Sequence, residues 1–146
     1  MNEITTILLA EDNAHDVELT LAALNEHHVA NQVVVVNDGA EALDYLYCRG
    51  RFKSRMPGNP AVALLDLKMP KVDGLEVLRH IKQDERLHTI PVVMLTSSRE
   101  EPDLVRAYKL GVNSYVLKPV EFQSFVEAVK HLGIYWTVHN QRPHVP

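Results

Sequence analysis

Several polar side chains in this sequence directly follow short apolar runs. Three of them are acidic, namely Glu11, Asp12 and Asp66, and two can donate hydrogen bonds to an anion, namely Thr96 and Lys118. Carboxylates brought together repel by roughly 1–4 kcal/mol per pair at about 4 Å, so such a group favours a bound cation. Oxygen ligands without nearby histidine or cysteine favour Mg²⁺, with Mn²⁺ as an alternative, over Zn²⁺. A metal, an ammonium and a hydroxyl around Asp66 could stabilise a phosphoryl group on its carboxylate.

The apolar runs alternate with helical patterns along the chain. Such continuous runs are typical of parallel strands that are covered on both faces. The runs are Ile7–Ala10, Val33–Val36, Ala61–Leu65, Pro91–Leu95 and Ser114–Leu117. The predicted fold class is α/β, a flavodoxin-like (βα)5 doubly wound parallel sheet with strand order 2-1-3-4-5. In that order the first and third strands are neighbours, so Glu11, Asp12 and Asp66 should meet at the carboxyl edge of the sheet.

Length and composition limit the classes of protein that the chain can represent. Its 146 residues, 46% of them hydrophobic, suit a single domain over 1–146. A formal net charge of -4 argues against a nucleic-acid partner. The chain has no apolar run of the roughly 20 residues that a spanning helix needs, and it begins without a signal-peptide pattern. These features predict a cytoplasmic protein with no membrane partner, and the single cysteine, Cys48, fits a reducing compartment.

One segment, Arg49–Arg55, is basic although the chain as a whole is acidic. It contains four basic residues and no acid. The predicted topology places the segment on a helix-to-strand loop, at the edge of the sheet opposite the carboxylates. With one aromatic residue in an acidic chain, a solvated or partner-facing loop is a better interpretation than a nucleic-acid site.

The polar residues at the strand ends also form an ordered set of motifs. In chain order these are Glu11-Asp12, Asp66 with Met69-Pro70 and Asp73-Gly74 behind it, Thr96-Ser97 and Lys118-Pro119. Over about Thr6 to Leu132 the chain resembles the receiver domain of two-component response regulators. The resemblance implies a phosphoacceptor signalling protein that catalyses only its own phosphorylation and dephosphorylation.

The resemblance assigns a role to each site residue. It implies that Asp66 accepts the phosphoryl group and that Thr96 and Lys118 contact it. It also implies a Mg²⁺ site whose ligands are Asp12, Asp66 and the backbone carbonyl of Lys68, with Glu11 supporting the metal through water. Tyr115 stands where similar receivers carry an aromatic switch that moves together with the threonine. An ordinary half-buried strand aromatic is the alternative interpretation of Tyr115.

A narrower resemblance concerns the partner. The segment Glu11–Leu19, the long connection before the third strand and Tyr135-Trp136 resemble single-domain regulators that partner bacterial and cyanobacterial phytochrome histidine kinases. The resemblance implies a sensor histidine kinase as phosphodonor, with the phytochrome class as the candidate. It also implies output through a downstream protein or a phosphotransfer partner.

The end of the sequence carries apolar residues beyond the expected receiver core of about 6–132. Ile134, Tyr135, Trp136 and Val138 lie in a C-terminal extension, 133–146, where a minimal receiver would already have ended. Apolar surface of this kind needs cover. The extension either packs back on its own domain or forms a homodimer, and the homodimer is the preferred hypothesis.

Two other functions use parts of the same site. A phosphohydrolase of the haloacid dehalogenase type also places an aspartate at a strand end with Mg²⁺, but it needs a second acid two residues later, where this chain has Lys68. A pseudo-receiver would bind partners without being phosphorylated. The complete set of acid pair, acceptor, hydroxyl and lysine argues against that loss of chemistry. A Rossmann oxidoreductase is excluded because no glycine-rich turn follows the first strand.

Overall fold

A computed structural model describes residues 6–26, 32–97 and 102–130 of the chain. Strands and helices alternate within these ranges. The strands are β1 (Thr6–Ala10), β2 (Gln32–Val36), β3 (Val62–Asp66), β4 (Val92–Thr96) and β5 (Ser114–Leu117). The helices are α1 (Ala14–Glu26), α2 (Gly39–Tyr47), α3 (Gly74–Gln83), α4 (Pro102–Lys109) and α5 (Phe122–Lys130), with a short 3-10 helix at Gly50–Phe52. This alternation confirms the predicted α/β class.

The strands form one parallel sheet in the order β2-β1-β3-β4-β5, which confirms the predicted topology. The sequence placed the ends of β3 and β4 one residue too early. Asp66 pairs with Leu95, and Thr96 pairs with Leu117, so both polar residues are the last members of their strands. Their backbones are therefore held by the sheet, whereas a loop residue would lack that support.

Alternate residues along the strands pack against helices on opposite faces of the sheet. Leu8 belongs to the apolar core that includes α2, α3 and α4, whereas Ile7 belongs to the core that includes α1 and α5. All five residues of β3 are buried, as expected for the central strand. This burial on both faces explains why the strands are continuous apolar runs.

Side-chain caps begin two of the helices next to the carboxyl edge of the sheet. The Asp38 carboxylate accepts a hydrogen bond from the Glu41 N–H at α2. The Asp73 carboxylate accepts one from the Glu76 N–H at α3. The Lys118-Pro119 peptide is cis. Among the described residues, no helix is long and apolar enough to cross a membrane.

Candidate functional site

The predicted acidic residues meet where β1 and β3 end side by side. One carboxylate oxygen from each of Glu11, Asp12 and Asp66 lies within 4.8 Å of the other two. Glu11 and Asp66 are buried, and Asp12 is exposed at the rim. The Glu11 backbone N–H donates to the carbonyl of Val36, which fixes the point where the chain leaves β1. The acidic cluster predicted from the sequence is therefore present.

Lys118 reaches this cluster from the end of β5. Its backbone N–H donates to the carbonyl of Thr96, which holds the start of the β5 loop against β4. Its Nζ lies 3.1 Å from Oε1 of Glu11, 3.3 Å from Oδ2 of Asp66 and 3.1 Å from Oδ2 of Asp16. One ammonium thus connects the ends of β1, β3 and β5 with helix α1.

Burial and charge shift the acid–base equilibria of two of these groups. Burial is the main cause that raises the pKa of Glu11 to about 7, assisted by the hydrogen bond and negative charge of Asp66 and opposed by Lys118. Burial alone would lower the pKa of Lys118. The charges of Asp66 and Glu11 and hydrogen bonds to Glu11 and Asp16 outweigh this effect, so the pKa of Lys118 lies above its usual range. Lys118 is therefore a permanent cation at neutral pH.

The pocket fits a hard divalent cation. It is an open cavity of about 220 Å³, and its lining includes the acidic cluster, Lys68, Thr96, Ser97 and Lys118. All three clustered ligands are carboxylate oxygens, which Mg²⁺ and Mn²⁺ prefer. One oxygen of each carboxylate lies within 4.8 Å of the others, so Glu11, Asp12 and Asp66 could together hold such a cation.

The remaining predicted site residues lie at different distances from this pocket. Thr96 is buried at the end of β4 and lines the cavity. Lys68, just after β3, also lines the cavity. The Lys68 N–H lies 3.5 Å from Oδ1 of Asp66. Tyr115 is half-buried in β5 and packs edge-on against the ring of Tyr108, with ring centroids 6.3 Å apart. It belongs to the apolar core on the α4 side of the sheet and does not line the cavity.

Gly74 allows helix α3 to begin directly against the end of strand β3. A Cβ atom at this position would lie 2.3 Å from the backbone oxygen of Asp66, closer than real Cβ contacts come. The Gly74 N–H donates to the carbonyl of Leu67 at 3.1 Å. The Asp73-Gly74 motif thus packs α3 closely under Asp66 and shapes the loop that carries Lys68.

The sequence analysis gave no role to Asp16, although the structure places it in the pocket. Asp16 lies in the first turn of α1, four residues after Asp12, and its Oδ2 contacts Lys118. Asn13 orients this turn by accepting a hydrogen bond from the Asp16 N–H on its side-chain oxygen, at 3.0 Å. Asp12 precedes α1, so helical spacing does not place these two carboxylates together, and the sequence alone gave no clear signal for this contact.

The arginines of Arg49–Arg55 make contacts within the chain that the sequence did not predict, although the side chains of Arg49 and Arg51 stay more than half exposed, as in a solvated loop. Arg49 pairs with Asp44 and Arg51 pairs with Glu41. The Arg55 guanidinium stacks 4.0 Å from the ring centroid of Tyr45 and donates hydrogen bonds to the Tyr45, Met56 and Gly58 carbonyls. These contacts tie the segment to helix α2, because a guanidinium offers several donors in a fixed plane.

A known protein family matches most of this chain. The family model described as the response regulator receiver domain matches residues 7–130. The chain belongs to the response regulator receiver family. The resemblance inferred from the five motifs is thereby confirmed, and the phosphohydrolase alternative is not favoured.

Several known receivers are similar to this one. The solved structure of the bacteriophytochrome response regulator AtBRR is 58% identical, with a TM-score of 0.88, and the alignment covers 96% of this chain and 100% of AtBRR. The probable methanogenesis regulatory protein FilR2 of Methanothrix harundinacea is 43% identical, over 94% of this chain and 86% of FilR2.

The response regulator Rcp1 of Synechocystis is a third similar protein. It is 35% identical, over 92% of this chain and 90% of Rcp1. A crystal structure of its Mn²⁺-bound form has a TM-score of 0.73 at 34% identity and covers 96% of this chain and 99% of that one. These receivers match the present chain along nearly its whole length.

Proposed function

We propose that this receiver accepts a phosphoryl group on Asp66 from a sensor histidine kinase. The observation that carries the proposal is the contact at 3.3 Å between the Asp66 carboxylate and the Lys118 ammonium beside the acidic cluster. In the transfer, an Asp66 oxygen forms a bond to phosphorus while the P–N bond of a phosphohistidine breaks. The released imidazole takes up a proton. No oxidant or reductant is needed.

The acidic cluster is proposed to hold Mg²⁺ or Mn²⁺. Asp12, Asp66 and the backbone carbonyl of Lys68 would be its ligands, and Glu11 would support it through water. A bound divalent cation supplies positive charge that offsets the phosphoryl oxygens and the carboxylate repulsion. The oxygen-only donor set of this chain and the Mn²⁺-bound form of the relative Rcp1 support this part of the proposal.

Two protein groups then act on the phosphoryl group directly. Lys118 offers a fixed positive charge close to Asp66, and the Thr96 hydroxyl offers a hydrogen bond from the neighbouring strand. We propose Tyr115 as the residue that carries the change to the surface, because it lies on β5 one strand away from Thr96 and contacts exposed Tyr108. The phosphorylated receiver would present this surface to a downstream protein or phosphotransfer partner.

The proposed phosphodonor is a kinase of the phytochrome class. AtBRR, a bacteriophytochrome response regulator, shares 58% of its aligned residues with this chain, compared with 43% for the methanogenesis regulator FilR2. This higher overall identity to a bacteriophytochrome regulator supports the phytochrome class. A cytoplasmic location, where such a kinase would meet the receiver, stays a prediction.

A homodimer is proposed for the C-terminal extension. The apolar residues that motivate it, Ile134, Tyr135, Trp136 and Val138, lie outside the described residues, as do the expected domain limit at Leu132 and the rest of 133–146. Support comes from the sequence alone, because four apolar side chains follow the family match, which ends at residue 130.

Intact-mass measurement tests the phosphoacceptor. The wild-type chain, incubated with Mg²⁺ and phosphoramidate, is expected to gain the mass of one phosphoryl group. Asp66→Asn should gain none, because the amide is not a nucleophile, whereas Asp73→Asn, changed in the neighbouring helix cap, should still be phosphorylated. A wild type that gains no mass, or an Asp66→Asn variant that gains as much, contradicts the assignment. Turnover of phosphate monoesters would favour the hydrolase instead.

A further inference from the structure

Three carboxylates surround the ammonium of Lys118 in this structure. Its Nζ donates hydrogen bonds to Glu11 and Asp16, both at 3.1 Å, and forms an ion pair with Asp66 at 3.3 Å. An ammonium has three N–H donors and no acceptor. A phosphoryl oxygen that approaches Lys118 therefore enters a space lined by carboxylate oxygens and competes with them for the ammonium.

The three carboxylates differ in how easily they can be released. The Glu11 side chain is fully buried, so leaving Lys118 would strand a buried polar group. Asp66 carries the phosphoryl group itself under the proposed function. The Asp16 side chain is 26% exposed, so water can replace Lys118 as its hydrogen-bond partner. Release of Asp16 costs the least free energy.

We propose that Asp16 is a positioning residue that holds Lys118 before phosphorylation and is the partner exchanged for the incoming phosphoryl group. The inference rests on the proposed function, since it needs Asp66 as the acceptor. The exchange forms and breaks no covalent bond beyond those of the transfer. Lys118 loses the hydrogen bond to Asp16 and gains one to a phosphoryl oxygen, while Asp16 turns to water.

The position of Asp16 supports this role over that of a metal ligand. Its carboxylate oxygen contacts Lys118 from the first turn of α1, whereas Asp66 contacts the ammonium from the end of β3. Among the described residues, the acidic cluster with metal-ligand spacing contains Glu11, Asp12 and Asp66 but not Asp16. Asp16 thus acts through Lys118, and its competition with the phosphoryl group should slow the reaction.

Phosphorylation rates of matched variants test the proposal. Asp16→Asn is expected to gain phosphoryl mass roughly three- to tenfold faster than wild type with limiting phosphoramidate and Mg²⁺, because an amide oxygen binds an ammonium more weakly than a carboxylate does. Asp16→Ala should be at least as fast. Glu18→Gln removes the same charge from an exposed position on the same helix and should react at the wild-type rate.

Salt dependence separates the exchange from simple repulsion of an anionic donor. Long-range repulsion is screened by salt, with a Debye length of about 10 Å at 0.1 M and 3 Å at 1 M, whereas a direct ion pair inside the pocket is screened much less. The ratio of Asp16→Asn to wild-type rates should therefore persist in 0.5 M NaCl, a concentration chosen between those limits.

Three results overturn the inference. They are an unchanged or lower rate in both Asp16 variants, an equal acceleration in Glu18→Gln, and an acceleration that vanishes at high salt. A wild type that gains no phosphoryl mass contradicts the proposed function instead. The two failures are therefore distinguishable in the same experiment.

Discussion

Opposite charges at short range dominate the site at the level of single residues. Burial, followed by the hydrogen bond and negative charge of Asp66, raises the pKa of Glu11 to about 7, and Lys118 offsets only part of these effects. A second cation would complete the compensation. The exposed Asp12 then has a clear role, because it gives such a cation a ligand that faces solvent.

Asp12→Asn should weaken Mg²⁺ binding by about tenfold or more, because the number of charged ligands tunes the affinity of a hard cation. Calorimetric titration with MgCl₂ measures the effect. Glu18→Gln, which removes an equal charge from the exposed face of α1, serves as the control and should bind as wild type does. Equal affinities for Asp12→Asn and wild type would mean that Asp12 is not a ligand.

At the level of elements, neighbouring strands determine which side chains meet. Asp66 pairs with Leu95, the residue before Thr96, so Asp66 and Thr96 end adjacent strands one residue out of register, and Gly74 lets helix α3 approach the backbone of Asp66. On the opposite edge, Arg55 fastens the segment after α2 by stacking on Tyr45 and by hydrogen bonds to backbone carbonyls. The basic segment is thus a structural connection.

Arg55→Ala should lower the free energy of unfolding by about 1–3 kcal/mol, because carbonyls lose their donor and Tyr45 loses a stacked cation. Urea unfolding followed by circular dichroism measures the loss. Lys53→Ala removes an equal charge from an exposed site in the same segment and should change stability by less than about 0.5 kcal/mol. Equal losses of stability in the two variants would mean that the contacts of Arg55 do not stabilise the segment.

Much of the fold and site could be predicted from the sequence because parallel strands bury both faces. Five apolar runs ending in polar residues led to the strand order and to Glu11, Asp66 and Lys118 meeting at one edge. The contact between Asp16 and Lys118 could not be predicted because it depends on how α1 is rotated about its axis. The contacts of Arg55 could not be predicted because every residue has a carbonyl acceptor, and only the path of the chain shows which carbonyls lie within reach.

At the scale of the whole molecule, the proposed signalling to a downstream partner depends on exposed protein surfaces. In the described part of the chain, α4 exposes Val105 and Tyr108, and Tyr108 contacts Tyr115 of β5. This face is continuous with the strand that carries Lys118, so a change at the pocket has a short path to it. The C-terminal extension offers the second apolar surface that is expected from the sequence.

Sedimentation should give the wild type the mass of a dimer, and Trp136→Ala should shift it towards the monomer, because a large aromatic contributes strongly to an interface. Val105→Ala removes exposed apolar surface from α4 and should leave the dimer intact. A monomeric wild type, or a Trp136→Ala variant that keeps the dimer mass, would leave the extension to pack on its own domain. Loss of the dimer in Val105→Ala would indicate that the dimer interface lies at α4.

The ion pairs of Lys118 also determine when the site can form during synthesis. Glu11 and Asp66 lie 107 and 52 residues before Lys118. A ribosome therefore delivers both acids well before the lysine that neutralises them. Until β5 emerges and docks, the central strands carry an uncompensated repulsion at their ends. The last strand thus completes the sheet, and the lysine that follows it completes the charge balance on which the proposed phosphoacceptor depends.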